Sequence, residues 1–269
     1  MGRPVLGLAS KASEAEPKLG AFGEASGAAV RAEGASAEWV TVRAASVVGV
    51  RHRLAGQPNE DYFAWSMGDG VIALAVADGL GSLGGSAQAA VRACRAAVGA
   101  ATADGVSDPA EATRLGVQAA NAASPGGGAT TLVIAVVCRD GRVEICRVGD
   151  STAFVVGAGR AAELFAPRDD ESVGSSTSAL PTDPTAWGNT GDAEFWERSA
   201  CQLSQEEVLA LATDGIADPW RDGPQTVGPA MVQVVTAFPS PLELAAAVDF
   251  SRQGCHDDRT MLCAWLRPG

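Results

Sequence analysis

Seven consecutive apolar residues, Val71 to Ala77, read as a strand buried on both faces, and the run stops abruptly at Asp78-Gly79. The pattern repeats down the chain. Val208 to Thr213 is a second apolar strand that stops at Asp214-Gly215, and the strand Arg142 to Val148 runs into Gly149-Asp150. Asn59-Glu60-Asp61 opens a strand over Tyr62 to Ser66, and Asp257-Asp258 opens a last strand over Thr260 to Leu266. Further strands are predicted at Trp39 to Val50, Thr130 to Cys138 and Thr152 to Val156, with an edge strand over Arg160 to Phe165. Met67-Gly68-Asp69-Gly70 and Asp140-Gly141 have the chemistry of hairpin turns.

Between the strands the period changes. Ser86 to Thr102 is rich in alanine and predicts a helix. Asp108-Pro109-Ala110-Glu111 starts a second one with a cap, a first-turn proline and a carboxylate at the third position, and it runs to about Ala123, where residues 124–128 break it. Val227 to Phe238 predicts another helix, and Ser240-Pro241-Leu242-Glu243 is a capping box whose helix extends to Gln253-Gly254. A loop is predicted after Asp218-Pro219-Trp220. Strands, two helices, strands, helices and a final strand fit an α+β class, with antiparallel sheets and helices packed outside them. Residues 1–38, rich in Ala, Gly, Ser and Glu, predict a disordered tail, with a short docked helix as the competing form. One domain then spans 39–269, interrupted at 167–200 by a long polar insertion.

Composition narrows the partners. The net charge is −12, from 32 acidic and 20 basic residues, with no basic stripe for nucleic acid or an anionic membrane. No apolar run approaches the roughly 18–20 residues that span a bilayer, and residues 1–38 lack a secretory pattern, so the expected compartment is the cytoplasm. The six cysteines form no CxxC pair and read as free thiols.

The acidic strand ends carry the chemistry. A buried carboxylate is costly unless something offsets its charge, and several meeting at one sheet edge repel one another. Hard divalent cations, which prefer oxygen ligands, remove both problems.

The ordered set Asn59-Glu60-Asp61, Asp78-Gly79-Leu80-Gly81-Ser82, Gly128-Ala129-Thr130-Thr131, Val148-Gly149-Asp150-Ser151, Ala212-Thr213-Asp214-Gly215 and Asp257-Asp258-Arg259-Thr260 resembles the metal-dependent serine/threonine protein phosphatases of type 2C, in their compact bacterial form. The resemblance covers about residues 40–267. It implies a four-layer α/β/β/α sandwich and two Mn²⁺ or Mg²⁺ ions, bridged by Asp78. The Gly79 carbonyl would bind one ion, and Asp214 and Asp257 the other. Glu60 and Asp61 match the acidic pair that holds a metal directly or through water. Asp150, with Asp214, matches a third, weaker site. The catalytic set is then Asp78, Asp214 and Asp257, acting on phosphorylated protein from a serine/threonine kinase pathway through a metal-bridging water. The insertion matches the family's variable flap, and the protein is expected to be a monomer.

Two positions depart from the family pattern. Gly56 stands where many members carry a phosphate-clamping arginine, and Leu80 where larger members carry a histidine. His52, Arg53 or Arg51 is expected to reach the phosphate from the end of the preceding strand, and His256 adjoins Asp257. Asp61 and Asp258 have a competing role as caps of strand ends. A catalytically silent module that binds phosphoproteins or a kinase is the alternative function, and a hydrolase of small phosphate esters uses the same site.

Overall fold

The computed structural model describes residues 30–80, 84–124, 128–165, 179–180, 196–221, 227–250, 252 and 254–268. Tail residues 1–29, the turn residues Gly81 and Ser82, and most of the predicted 167–200 insertion lie outside the described residues.

Two antiparallel sheets face each other. The first runs β1 (Val30–Ser36), β2 (Val40–Val47), β11 (Arg259–Leu266), β10 (Val208–Ala212), β7 (Thr152–Gly157) and β8 (Arg160–Glu163). The second runs β3 (Tyr62–Met67), β4 (Val71–Ala77), β5 (Leu132–Cys138), β6 (Arg142–Val148) and β9 (Glu197–Gln202). Helices α2 (Ser86–Ala101) and α3 (Pro109–Ala123) cover the outer face of the second sheet. Helices α4 (Asp214–Arg221), α5 (Val227–Thr236) and α6 (Pro241–Val248) cover that of the first.

Strand alternation explains the layers. In β10, Leu209 and Leu211 turn into the main core shared with β4 and β5, while Val208, Ala210 and Ala212 pack under α4, α5 and α6. In β11, Leu262 and Ala264 face inward, and Met261, Cys263 and Trp265 face the helices. Both faces of these strands are dry, which is why their sequences read as continuous apolar runs. The predicted caps form: Asp108 accepts the Glu111 N–H at 3.2 Å, and Ser240 and Glu243 exchange hydrogen bonds at 3.3 and 2.7 Å.

Several expectations are corrected. The predicted 1–38 tail is too long, because β1 pairs along all of Val30–Ser36 with β2. The predicted strand to Val50 ends at Val47. A short helix α1 (Val50–Ala55) follows and is closed by Gly56 at φ 64°. Arg51, His52 and Arg53 therefore ride on a helix, not a strand end. The predicted insertion is shorter than 167–200, since β9 begins at Glu197 and adds an edge to β6. Asp218-Pro219-Trp220, given no element in the sequence reading, belongs to helix α4, which buries Ile216, Ala217 and Trp220, and residues 222–226 of the loop expected after it lie outside the described residues. Helix α6 stops at Val248, short of the expected Gln253-Gly254. The cysteines are free thiols, and among the described residues no helix is long and apolar enough to cross a membrane.

Candidate metal centre

Register brings the acids together. Tyr62 pairs with Ala77, so Asp61 and Asp78 project from adjoining ends of β3 and β4. Ala212 pairs with both Thr152 and Met261, which sets Asp214 beside the 150–151 corner and the 257–258 turn. Hydroxyls then stitch the two sheets at this end. Thr213 Oγ1 donates to Asp61 Oδ2 at 2.8 Å, and the Thr260 N–H donates to Thr213 Oγ1 at 3.0 Å. The Asp78 N–H donates to Thr131 Oγ1 at 3.0 Å, and that hydroxyl lies 2.7 Å from Ser151 Oγ. Gly79 is required by packing, since a Cβ there would come within 2.9 Å of the Glu60 carbonyl oxygen and of the Ser86 backbone.

The result is a cavity of about 160 Å³, lined by Asp78, Asp150, Asp214, Asp257 and Asp258 together with Gly79, Leu80, Thr131, His52 and Arg51. Its electrostatics are those of crowded carboxylates. Burial, then Asp258 and Asp214, push the Asp61 carboxyl well above the usual range. Burial, then Asp61 and Asp214, do the same to Asp78. Asp214 is pushed up to about 7 by burial and then by Asp150, Asp218 and Asp257. Burial also raises Glu60, partly offset by His52.

Whether these residues suit a cation is decided by their unsatisfied oxygens. Glu60 Oε2, Asp61 Oδ1 and Asp150 Oδ1 are buried without a hydrogen-bond partner. Each costs roughly 1–3 kcal/mol if left so, and a divalent cation offsets both that cost and the mutual repulsion. Among the described residues no three carboxylate, imidazole or thiol groups close on one point as a finished cage. An ion of the magnesium type tolerates this, because it keeps several waters and takes only one or two carboxylates directly.

The predicted site residues fall into groups. Asp78, Gly79, Asp150, Asp214 and Asp257 line the cavity. Glu60 and Asp61 stand just behind it, Asp61 through its bond to Thr213 and Glu60 through its approach to His52. Asp257 is half exposed, with Arg51 at 3.9 Å. His52 lines the cavity but is tied down, its Nδ1 lying 2.9 Å from Asp258 Oδ2. Arg53 does not join the site. Its guanidinium reaches the Val48 carbonyl at 3.1 Å and Asp249 at 3.4 Å. His256 is exposed, and only its backbone carbonyl takes part, accepting the Arg51 N–H at 3.1 Å. Sequence reasoning missed how Asp258 is used. A helix signal, Gly56 closing Val50–Ala55, was present and pointed to the α1 geometry that exposes that role.

A family model described as Protein phosphatase 2C matches residues 48–247. The chain belongs to this family of protein phosphatases. Among solved structures it is similar to RsbX in complex with magnesium, at 14% identity and TM-score 0.60, covering 88% of this chain and 100% of that one. The catalytic domain of the serine threonine protein phosphatase PstP with two manganese ions matches at 19% identity and TM-score 0.60, over 86% of this chain and 99% of that one. The S. agalactiae serine/threonine phosphatase matches at 14% and 0.63, over 85% and 100%. At these identities the likeness concerns the fold. No curated protein matches the chain.

Proposed function

We propose that this protein hydrolyses phosphoserine and phosphothreonine on proteins in a Mn²⁺- or Mg²⁺-dependent reaction with water as the nucleophile. The observation that carries the reading is the set of buried, partnerless carboxylate oxygens on Glu60, Asp61 and Asp150 around an aspartate-lined cavity. Asp78, the Gly79 carbonyl, Asp214 and Asp257 would hold two ions, with Glu60 and Asp61 supporting them and Asp150 offering a third position. When bound, such ions act as Lewis acids that make water a competent nucleophile at neutral pH and neutralise phosphoryl charge.

The chain's own residues set the stage. Thr213 and Thr131 hold Asp61 and the Asp78 backbone in register, so the carboxylates present oxygens to the cavity without rearranging. Among the described residues the one hydroxyl side chain on the lining, Thr131, is engaged by Asp78 N–H and Ser151, and no cysteine lines the cavity, which supports attack by water instead of a side chain. Arg51 is, among the described residues, the one guanidinium on the lining, and in this reading it would meet the phosphoryl group. The natural substrates in this reading are proteins modified by a serine/threonine kinase, met in the cytoplasm by a monomer.

The test is hydrolysis of an aryl phosphate and a phosphothreonine peptide by the purified chain with Mn²⁺, with and without chelator. Metal-dependent turnover of both, abolished by Asp78→Asn, is expected. Mn²⁺ binding without turnover would overturn the reading in favour of a phosphoprotein-binding module. Turnover confined to small esters would remove the protein substrate.

A further inference from the structure

Asp258 stands next to a candidate ligand yet spends its own oxygens elsewhere. It is 4% exposed. Its Oδ1 accepts the Gly49 N–H at 2.6 Å, and its Oδ2 accepts the Glu60 N–H at 2.7 Å and faces His52 Nδ1 at 2.9 Å. One carboxylate at the entry to β11 thus ties down the N-terminus of α1 and the acidic pair before β3, which lie 209 and 198 residues away from it in the chain. Backbone N–H groups already occupy both oxygens, so the imidazole meets this acceptor with its Nδ1 proton.

The bond fixes the ring. Its other nitrogen, Nε2, then faces Glu60 Oε2 across 3.9 Å, too far for a direct hydrogen bond, and that oxygen is one of the buried partnerless three. Glycines lock the turn from both sides. A Cβ on Gly49 would overlap the Asp257 backbone, and one on Gly215 would overlap the Asp258 carbonyl oxygen. The Arg51 N–H adds a bond to the His256 carbonyl at 3.1 Å. With Asp258 tied inward, the adjoining Asp257 side chain stays at the cavity, half exposed, with Arg51 at 3.9 Å.

We propose that Asp258 and His52 are a positioning pair that presents Glu60 and Asp257 together to the metal centre. This rests on the reading of the cavity as a divalent-cation site. Neither residue need touch an ion. Asp258 sets the backbone of both acidic segments, and His52 backs the Glu60 carboxylate from a ring orientation that Asp258 dictates. Partners of this kind, one shell removed from the ligands, typically change metal affinity 10–100-fold when lost.

The experiment measures Mn²⁺ binding to the full chain by calorimetry, independent of turnover, for wild type, His52→Ala, His52→Asn, His52→Gln and Asp258→Asn. Thermal unfolding in chelator checks that each variant is folded. His52→Ala and Asp258→Asn are expected to weaken Mn²⁺ binding by roughly 10–100-fold. His52→Asn places an amide N–H near the Nδ1 position, keeps the Asp258 tie without the Nε2 side of the ring, and is expected to recover part of the loss. His52→Gln places its amide near Nε2, out of reach of Asp258, and is expected to stay with His52→Ala. Wild-type affinity in His52→Ala would overturn the proposal while leaving the metal reading intact. Equal loss in the Asn and Ala variants, or rescue by Gln alone, would overturn the Asp258 tie. If Asp258→Asn does not fold, the His52 series decides. A wild-type chain that binds no Mn²⁺ would overturn the metal reading and this inference with it.

Discussion

Asp214→Asn in metal-free protein isolates the cost of the crowded carboxylates. Asp214 opens α4 at the end of β10, and burial with Asp150, Asp218 and Asp257 lifts its pKa from 3.8 to about 7. A rise of about three units at roughly 1.36 kcal/mol per unit is about 4 kcal/mol of destabilisation once the group is ionised. The cavity admits solvent, and screening reduces this to about 2 kcal/mol. Loss of a negative charge at the α4 N-terminus works the other way, by about 0.3–1 kcal/mol, so the substitution is expected to stabilise the metal-free fold. At about 2–4 °C per kcal/mol for a domain of this size, Tm should rise by a few degrees at pH 8 in chelator.

The sign of the pH dependence follows from the raised folded-state pKa. The wild-type contribution is most favourable below pH 3.8, is lost as pH rises through about 7, and is flat beyond. The variant lacks this term. The Tm difference should therefore be less than half its full size at pH 5 and complete near pH 8. Saturating Mn²⁺ should reverse the order, because ligand at 100 times its Kd adds about 2.7 kcal/mol to the wild type and much less to the variant. Differential scanning fluorimetry over this pH range reads all three effects. An Asp214→Asn variant less stable than wild type at pH 8 in chelator, or a Tm difference indifferent to pH, would refute the reasoning.

Three further outcomes are expected. Gly215→Ala forces a Cβ into the Asp258 carbonyl and should lower stability by roughly 1–3 kcal/mol in urea unfolding, despite alanine's better helix propensity. Leu180→Ala empties a fully buried position whose backbone pairs with Thr130 at 2.7 and 2.9 Å, and should cost about 2–5 kcal/mol with an unchanged m-value. Arg53→Ala removes an exposed pair with Asp249 and a part-buried hydrogen bond to the Val48 carbonyl, so stability should fall by about 0.5–2 kcal/mol, while the KM and kcat for a phosphopeptide should stay at wild-type values. A raised KM would return Arg53 to the phosphate site.

The central strands were legible because each has both faces buried, so its composition alone is strand-like. The interruption of such a run by an acid, as at Ala77-Asp78, marks the candidate site in the sequence itself. The edge strands β1 and β9 were not legible. Their side chains are partly or fully exposed, and they are strands only because their backbones pair with β2 and β6. Helices α1 and α4 carried readable signals, Gly56 after the first and the Ile216, Ala217 and Trp220 face of the second, that an extended reading of neighbouring residues overrode.

What sequence alone determined is which residue types end the strands, since an isolated acid in apolar surroundings needs a partner wherever it folds. What only the tertiary structure decided is the division of labour between neighbours of the same type. Asp257 and Asp258 are chemically identical, yet one opens to the cavity and the other is consumed by Gly49, His52 and Glu60. Arg51 and Arg53 lie two residues apart, and a helical turn sends one to the cavity and the other to Asp249. Side-chain direction follows from backbone dihedrals and from the segments packed against them, and those segments come from the far end of the chain.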